Sequence, residues 1–376
     1  KRHDPGGIKM EETPVTTIVA MWGFAAGIVF GVTAQRTNFC TMGAISDAVF
    51  MGSFSRMRAW VMAIAVAIAG SQILHMTGAV DLGGAIYLTS NLGWVGAIVG
   101  GLLFGFGMTM AGGCGNKTLV RLGAGNLKSL IVAIVIGITG YATLRGIIGL
   151  LRVEFEAATM VNLSDRGLES QSMVEMVAAL FGMETEALRP VMVAIVVLAL
   201  LAWCFKSAEF RSSGRDMAAG LIIGLMIPLG WYITGHIGND DFDPVPLFSF
   251  TFVSPTADSV QYLMTFTGAT INFGIATVGG VIVGSFVAAK LSGEFQIESF
   301  ADAADLKRHL LGAFMMGIGG IIALGCTIGQ AVTGMSTLAL GSLIAWLSLM
   351  AGGYLGMKYL EEGSLGGALK TVFSRN

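Results

Sequence analysis

The chain has 376 residues, of which 54% are hydrophobic and 12% are charged. Soluble domains usually carry about 25% charged residues, so this composition excludes an ordinary soluble protein and indicates one that lies in a lipid bilayer. The formal net charge of -2 identifies no partner, because the distribution of charge between loops is what matters in a membrane protein. We expect no nucleic-acid partner.

Nine apolar stretches are predicted to cross the membrane as helices, since a span requires ~20 apolar residues. They cover residues 17–35, 59–78, 93–111, 129–150, 190–205, 217–235, 264–289, 310–325 and 337–357. Several place glycines four residues apart, which lets helix backbones approach closely in lipid. The clearest examples are Gly23, Gly27 and Gly31, then Gly220 and Gly224, and then Gly280 and Gly284. We therefore expect an all-α integral membrane protein with tightly packed helices.

Lys and Arg are distributed unequally between the two sides of these spans. By the positive-inside rule the N-terminus lies outside and the C-terminus in the cytoplasm. The predicted parts are a polar N-terminal segment (1–16), a first transmembrane repeat (17–150), an outer loop with a linking span (151–216), a second, inverted repeat (217–360) and a cytoplasmic tail (361–376). Residues 1–16 lack the apolar core of a signal peptide. An amphiphilic helix is predicted over 170–188, at the outer surface.

A glycine-rich segment occurs twice. Residues 100–118 recur as residues 312–330 at a constant offset. The matching pairs are Gly100 with Gly312, Gly105 with Gly317, Gly107 with Gly319, Gly113 with Gly325, and Cys114 with Cys326. Spans one to four and six to nine would form the two copies. Because one span separates two even sets, the second copy is inverted relative to the first, which predicts a pseudo-twofold transporter plan with a site near the interface of the repeats.

The residue types that usually form metal or nucleotide sites are scattered. The four cysteines form no C-x-x-C pair, and the four histidines form no cluster. These spacings argue against a zinc site and against thioredoxin-like chemistry. The phosphate-binding loop G-x-x-x-x-G-K-[ST] does not occur in the sequence, which argues against an ATP-driven pump. We expect no metal, no cofactor and no enzymatic activity.

Three cysteines share a local setting. Cys40, Cys114 and Cys326 each follow a span and precede a short semi-polar segment: 41–52, 117–125 and 328–334. These segments are predicted to be re-entrant helices, which are tolerated at membrane depth only when buried in protein or lining a cavity. Helix N-termini attract anions, so three soft sulfur groups beside them suit a small anion that itself contains sulfur. Cys204 lies in an ordinary apolar span and is expected only to pack.

Further residues are predicted to line a pathway through these helix breaks. Arg36, Lys117 and Arg121 either attract an anion or anchor the chain at the cytoplasmic surface. Asp47 would repel an anion and is expected to pair with a nearby Arg. The predicted lining residues are Arg36, Asn38, Gly113, Gly115, Asn116, Thr118, Gly325, Thr327, Gln330 and Thr333.

At these residues the chain resembles the YeeE/YedE family of sulfur transporters. The most specific parts are Gln35-Arg36-x-x-x-Cys40, the Gly-Gly-Cys ending at Cys114, and Gly325-Cys326-x-Ile328-Gly329-x-x-x-Thr333-Gly334. The resemblance implies nine spans plus re-entrant helices in an hourglass-like arrangement. It also implies that Cys40, Cys114 and Cys326 pass thiosulfate inward by S–H···S contacts, without a large rocking motion. This chain departs from the family pattern at Leu324, where a second Gly is familiar, and at Gln330, where a His is familiar.

The sequence therefore predicts a transporter in a bacterial or archaeal inner membrane that imports thiosulfate or a related small sulfur anion. The resemblance also implies a soluble cytoplasmic sulfur-carrier protein as a partner. Two alternatives stay open at this point. One is a channel for another small solute, and the other is a membrane sulfurtransferase in which a Cys becomes a persulfide.

Overall fold

The computed structural model describes residues 14–240 and 243–373. Residues 1–13, which form most of the predicted polar N-terminal segment, lie outside this description, as do residues 241–242 and 374–376. The first helices are α1 (Val15–Thr37), α2 (Thr41–Ser46, continued by a π-helical turn Asp47–Met51), α3 (Ser55–Met76), α4 (Trp94–Met110), α5 (Gly115–Gly123), α6 (Leu127–Leu144), α7 (Ile147–Thr159) and α8 (Met173–Phe181).

The second half begins with the linking helix α9. Its helices are α9 (Thr185–Phe205), α10 (Ala208–Ser212), α11 (Gly214–Tyr232, continued by Ile233–Ile237), α12 (Val253–Met264), α13 (Phe273–Ser292), α14 (Ala303–Ile322), the π-helix Thr327–Gly334, α15 (Leu340–Glu362) and α16 (Leu365–Phe373). The strands β1 (Asn91–Leu92) and β2 (Val161–Asn162) pair antiparallel. Within the described residues, nine helical segments are long and apolar enough to cross a membrane, which confirms the predicted fold class.

Three of the predicted helices differ from the observed ones at a capping or glycine residue. The seventh span begins at Phe273 rather than near 264, because the Asn272 side chain accepts a hydrogen bond from the Ile275 N–H and caps the helix there. The fourth span ends at Leu144, and Gly146 in an extended conformation separates it from α7. The helix predicted over 170–188 is broken at Gly182, whose φ of 65° ends α8 in a left-handed cap.

The glycine pairs four residues apart lie at close helix contacts, as predicted. Gly27 and Gly280 face each other where α1 packs on α13, and a Cβ on Gly27 would lie 3.1 Å from the Gly280 Cα. Gly220 and Gly224 face α3, and a Cβ on either would lie 2.8 Å from a carbonyl oxygen of Ala59 or Ala63. These approaches exclude any larger side chain, so the glycines determine the helix spacing.

The repeated glycine segment brings α4 and α14 together. A Cβ on Gly107 would lie 2.8 Å from the Gly312 carbonyl oxygen, and one on Gly100 would lie 2.7 Å from that of Gly319. Residue numbers rise along one helix as they fall along the other, so the two helices pack antiparallel. The glycines that match in sequence are therefore also the ones that allow this crossing.

The helix pairs occur in matching sets. Helix α1 packs on α13 as α3 packs on α11, and α4 packs on α15 as α6 packs on α14. Helix α5 likewise contacts α13, while the π-helix Thr327–Gly334 contacts α3. A twofold repeat would produce this pairing, and the inversion of the second copy stays a prediction.

The three short helices predicted after the cysteines are present as α2 with its π-helical turn, α5, and the π-helix Thr327–Gly334. All eight residues of that π-helix are buried, as backbone of this kind at membrane depth requires. The structure adds a fourth short helix, α12, in the matching position of the second half. Its polar residues Ser254, Thr256 and Asp258 kept it below the hydropathy of a span.

Candidate functional site

Each of the three cysteines stands immediately before a short helix. Cys40 precedes α2, Cys114 precedes α5, and Cys326 precedes the π-helix, all in extended backbone conformations. Their thiols are free, and the residues are 5%, 0% and 0% exposed, respectively. The Gly329 N–H donates to the Cys326 Sγ at 3.5 Å. The Cys326 thiol therefore caps the start of its helix by accepting from a backbone N–H group.

The three cysteines form a contiguous series with Cys114 in the middle. Cys40 and Cys114 are neighbours whose thiols interact with each other. On the other side of Cys114, a Cβ on Gly115 would lie 3.8 Å from the Cys326 Cβ. Residues that are far apart in sequence are thus brought together, with Cys114 next to Cys40 and Gly115 next to Cys326.

A basic cavity of about 610 Å³ lies at the Cys40 end of this series. We call it the basic cavity. Besides Cys40, it is lined by Asn38, Met42, Gly43, Asp47, Ser55, Arg56, Lys117, Arg121, Ser213, Arg215 and Asp216. The lining has four basic and two acidic side chains and is therefore net positive, as an anion site requires.

Asp47 pairs with an arginine, as predicted. Its Oδ2 lies 2.6 Å from the Arg56 Nε. Arg36 is exposed on α1 and is not among the residues that line the basic cavity, so its part in a pathway stays a prediction. Arg56 and Arg215 also line this cavity, although no local sequence pattern predicts them there. Only the packing of α3 and α11 beside Cys40 brings their side chains there.

A smaller cavity of about 100 Å³ lies beyond the Cys326 end. We call it the Tyr87 cavity. Its lining includes Tyr87, Leu144, Arg152, Thr251 and Gly325, and the Thr251 Oγ1 lies 3.8 Å from the Cys326 Sγ. Tyr87 belongs to the connection between two spans, where no periodic pattern could have indicated its role.

The two cavities lie at opposite ends of the membrane-spanning helices. Leu144, which ends α6, lines the Tyr87 cavity. Lys128, at the start of α6, lines a further cavity of about 470 Å³ that shares Met42, Lys117 and Arg121 with the basic cavity. An 18-residue helix extends about 27 Å. Cys40 therefore lines a cavity near one end of α6, and Gly325, next to Cys326, lines a cavity near its other end.

Several of the other predicted lining residues have side chains that form hydrogen bonds to the backbone. The Thr118 Oγ1 donates to the Cys114 carbonyl at 3.0 Å, and the Thr333 Oγ1 donates to the Phe250 carbonyl at 2.5 Å. The Gln330 Nε2 donates to the Ala323 carbonyl. Gly113 and Gly325, each next to a cysteine, are buried.

Buried polar atoms without partners occur beside each thiol. The Asn116 Oδ1 accepts from the Cys114 Sγ at 2.7 Å, while its Nδ2 has no hydrogen-bond partner. The Thr41 Oγ1, next to Cys40, and the Thr327 Oγ1, next to Cys326, are also buried without a partner. Buried polar groups are nearly always hydrogen-bonded, so these three atoms beside the thiols are exceptions to the usual pattern.

Cys204 lies apart from this series. It is buried where α9 packs on α3, and its Sγ donates to the Arg58 carbonyl at 3.3 Å. It does not line the basic cavity or the Tyr87 cavity. This position agrees with the expected packing role.

Comparisons with known proteins give the family. A family described as sulphur transport matches residues 36–355. A thiosulfate transporter TsuA of Escherichia coli K12 is 27% identical over 341 residues, which cover 87% of this chain and 90% of that protein. A thiosulfate transporter TsuA of Spirochaeta thermophila is 25% identical over 337 residues, which cover 88% of this chain and 96% of that protein. A probable transporter YedE of E. coli K12 is 32% identical over 97 residues, 25% of this chain and 22% of that protein. The chain belongs to the sulfur-transport family, as a multi-pass membrane protein.

Proposed function

We propose that this protein imports thiosulfate, or a related small sulfur-containing anion, along the line of Cys326, Cys114 and Cys40. The observation that carries the proposal is the contiguous series of three buried thiols between the Tyr87 cavity and the basic cavity. Two relatives that match most of the chain are named thiosulfate transporters. A thiol and the terminal sulfur of thiosulfate are both soft and polarisable, which suits the substrate to this lining.

The pathway must replace the water that a dianion loses. Burying a charge without hydrogen bonds is very costly, and the unpartnered Nδ2 of Asn116 and the hydroxyls of Thr41 and Thr327 supply donors beside the thiols. A neutral thiol donates weakly, whereas a thiolate would repel an anion. The proposed passage therefore requires neutral thiols.

The distribution of Lys and Arg supports the proposed direction of transport. The basic cavity lies on the side with most of these residues, which the positive-inside rule places in the cytoplasm. An anion admitted through the Tyr87 cavity would leave through the basic cavity, within an inner membrane. A soluble sulfur-carrier protein at that face would receive it.

This orientation can be tested with labels at the two ends of the chain. A tag placed after Asn376 should be reached only from the cytoplasm, and one placed before Lys1 only from outside, because nine spans separate them. The measurement is protease or maleimide labelling of intact cells and of inverted vesicles. Finding both tags on one side would contradict the inverted repeat and the proposed direction.

Uptake into liposomes tests the substrate. Purified protein should admit labelled thiosulfate and should admit sulfate far more slowly, because sulfate has no terminal sulfur to contact the thiols; sulfite, measured in parallel, tests a related oxyanion. Protein-free liposomes are the control. Equal rates for thiosulfate and sulfate would contradict a thiol pathway. A stable covalent sulfur adduct on the intact protein would instead favour the sulfurtransferase.

A further inference from the structure

Lys117 is a buried cation at the inner end of the thiol series. It lies on α5, three residues after Cys114, and is 7% exposed. Its Nζ donates to the Asn38 Oδ1 at 3.1 Å, which is a neutral oxygen. Its charge is close enough to both Cys40 and Cys114 to act on them electrostatically. An ammonium has three hydrogens to donate, so this contact leaves most of its capacity unused.

No carboxylate neutralises Lys117 among the residues that the structure describes. Its ammonium is not part of any ion pair there. The acidic residues of the basic cavity are engaged elsewhere. Asp47 binds Arg56, and Asp216 accepts from the hydroxyls of Ser55 and Ser213, each at 2.8 Å.

The buried Lys358 and the half-buried Lys128 are both paired. Lys358, which is 5% exposed, lies 2.6 Å from a carboxylate oxygen of Glu361. Lys128 lies 3.0 Å from Asp305 and 3.3 Å from Glu298. Burying a charge is costly unless it is paired, and the fold satisfies this rule at Lys358 and Lys128. Lys117, in contrast, is buried without a carboxylate partner among the described residues, and it lies beside Cys40 and Cys114, where the proposed pathway places the anion.

Lys117 also lies where the internal spaces meet. It lines both the basic cavity and the 470 Å³ cavity. Arg121, on the same face of α5, donates to the Gly112 carbonyl at 2.6 Å and is thereby fixed beside it. An anion that leaves the Cys40–Cys114 pair therefore meets Lys117 before it reaches open solvent.

We infer that Lys117 is the binding residue that supplies the countercharge for the transported anion at an inner station formed with Asn38, Cys40 and Cys114. The inference rests on the proposed function and adds a charged residue to the two cysteines and the amide of Asn38 at this station. The bound anion takes the place of the missing carboxylate, so the site prefers anions over neutral sulfur compounds of similar size.

The test compares Lys117→Met, Lys117→Arg and a matched control, Lys358→Met, which removes a buried lysine outside both cavities. Three quantities are measured on purified protein: the Kd of thiosulfate by calorimetry, the thiosulfate uptake rate in liposomes, and the Tm in anion-poor buffer. For Lys117→Met we expect binding and uptake to weaken about ten- to a hundredfold, the usual scale for one charge-assisted contact. Lys117→Arg and Lys358→Met should stay within a few-fold of wild type.

The Tm separates anion binding from a structural role. Removing an unpaired buried charge should leave the Tm of Lys117→Met unchanged or raise it, whereas removing a structural lysine should lower it. Wild-type binding by Lys117→Met, or loss of its folded state, would overturn the inference. Failure of the wild-type protein to take up thiosulfate would instead contradict the proposed function.

Discussion

Replacing Cys40, Cys114 or Cys326 with Ala should each strongly reduce thiosulfate uptake while the protein still folds. In a narrow pathway the anion must pass each thiol in turn. The loss of one thiol therefore raises the free-energy barrier to transport. Each lost contact to a charged ligand removes about 1.5–3 kcal/mol, which is roughly ten- to a hundredfold in rate at the limiting barrier. Since Ala only removes one sulfur atom, the free energy of unfolding should fall by no more than about 1–2 kcal/mol.

Cys204→Ala is the matched control for these variants. Cys204 is as buried as the other three, but its thiol contacts the Arg58 carbonyl in a helix interface. Uptake by Cys204→Ala should therefore stay close to wild type. Ser at the pathway positions should restore little uptake, because a hydroxyl is harder and more strongly hydrated than a thiol. Near wild-type uptake by all three Ala variants would show that these cysteines only pack.

Gly280→Ala should strongly destabilise the protein, whereas Gly279→Ala, one residue away on α13, should not. A Cβ on Gly280 would lie 3.0 Å from both the Gly27 Cα and the Ile28 N and even closer to the Phe24 carbonyl oxygen, and backbone atoms cannot rotate away. A Cβ on Gly279 would lie 3.7 Å from the Phe24 ring, which is ordinary contact.

We expect Gly280→Ala to lower the free energy of unfolding by about 1–3 kcal/mol or more, the usual cost of overpacking. Gly279→Ala should be neutral or stabilising by up to about 1 kcal/mol, because Ala favours a helix over Gly. The Tm and the yield of monodisperse protein in detergent measure both effects. Equal stability of the two variants would show that α1 and α13 are not as closely packed as the structure has them. Val at position 280 should prevent assembly.

The sequence by itself determined the features that depend on neighbouring residues. Apolar length predicts the spans, and glycines four residues apart predict the close contacts at Gly27, Gly220 and Gly280. The Gly-Cys breaks predict short helices after Cys114 and Cys326. Each of these signals acts within one or two turns of a helix, so each can be read along the chain. The pattern around the cysteines was also enough to indicate the family.

Only the tertiary structure decided which distant residues meet. The order of the thiols depends on how α2, α5 and the π-helix Thr327–Gly334 pack, and no local pattern encodes it. Arg56 and Arg215 reach the basic cavity because α3 and α11 lie beside Cys40. Whether Lys117 has a carboxylate partner likewise depends on which acidic side chains face it. Helix α12 was missed because burial against α6 and α13 stabilises a short polar helix that hydropathy alone does not indicate.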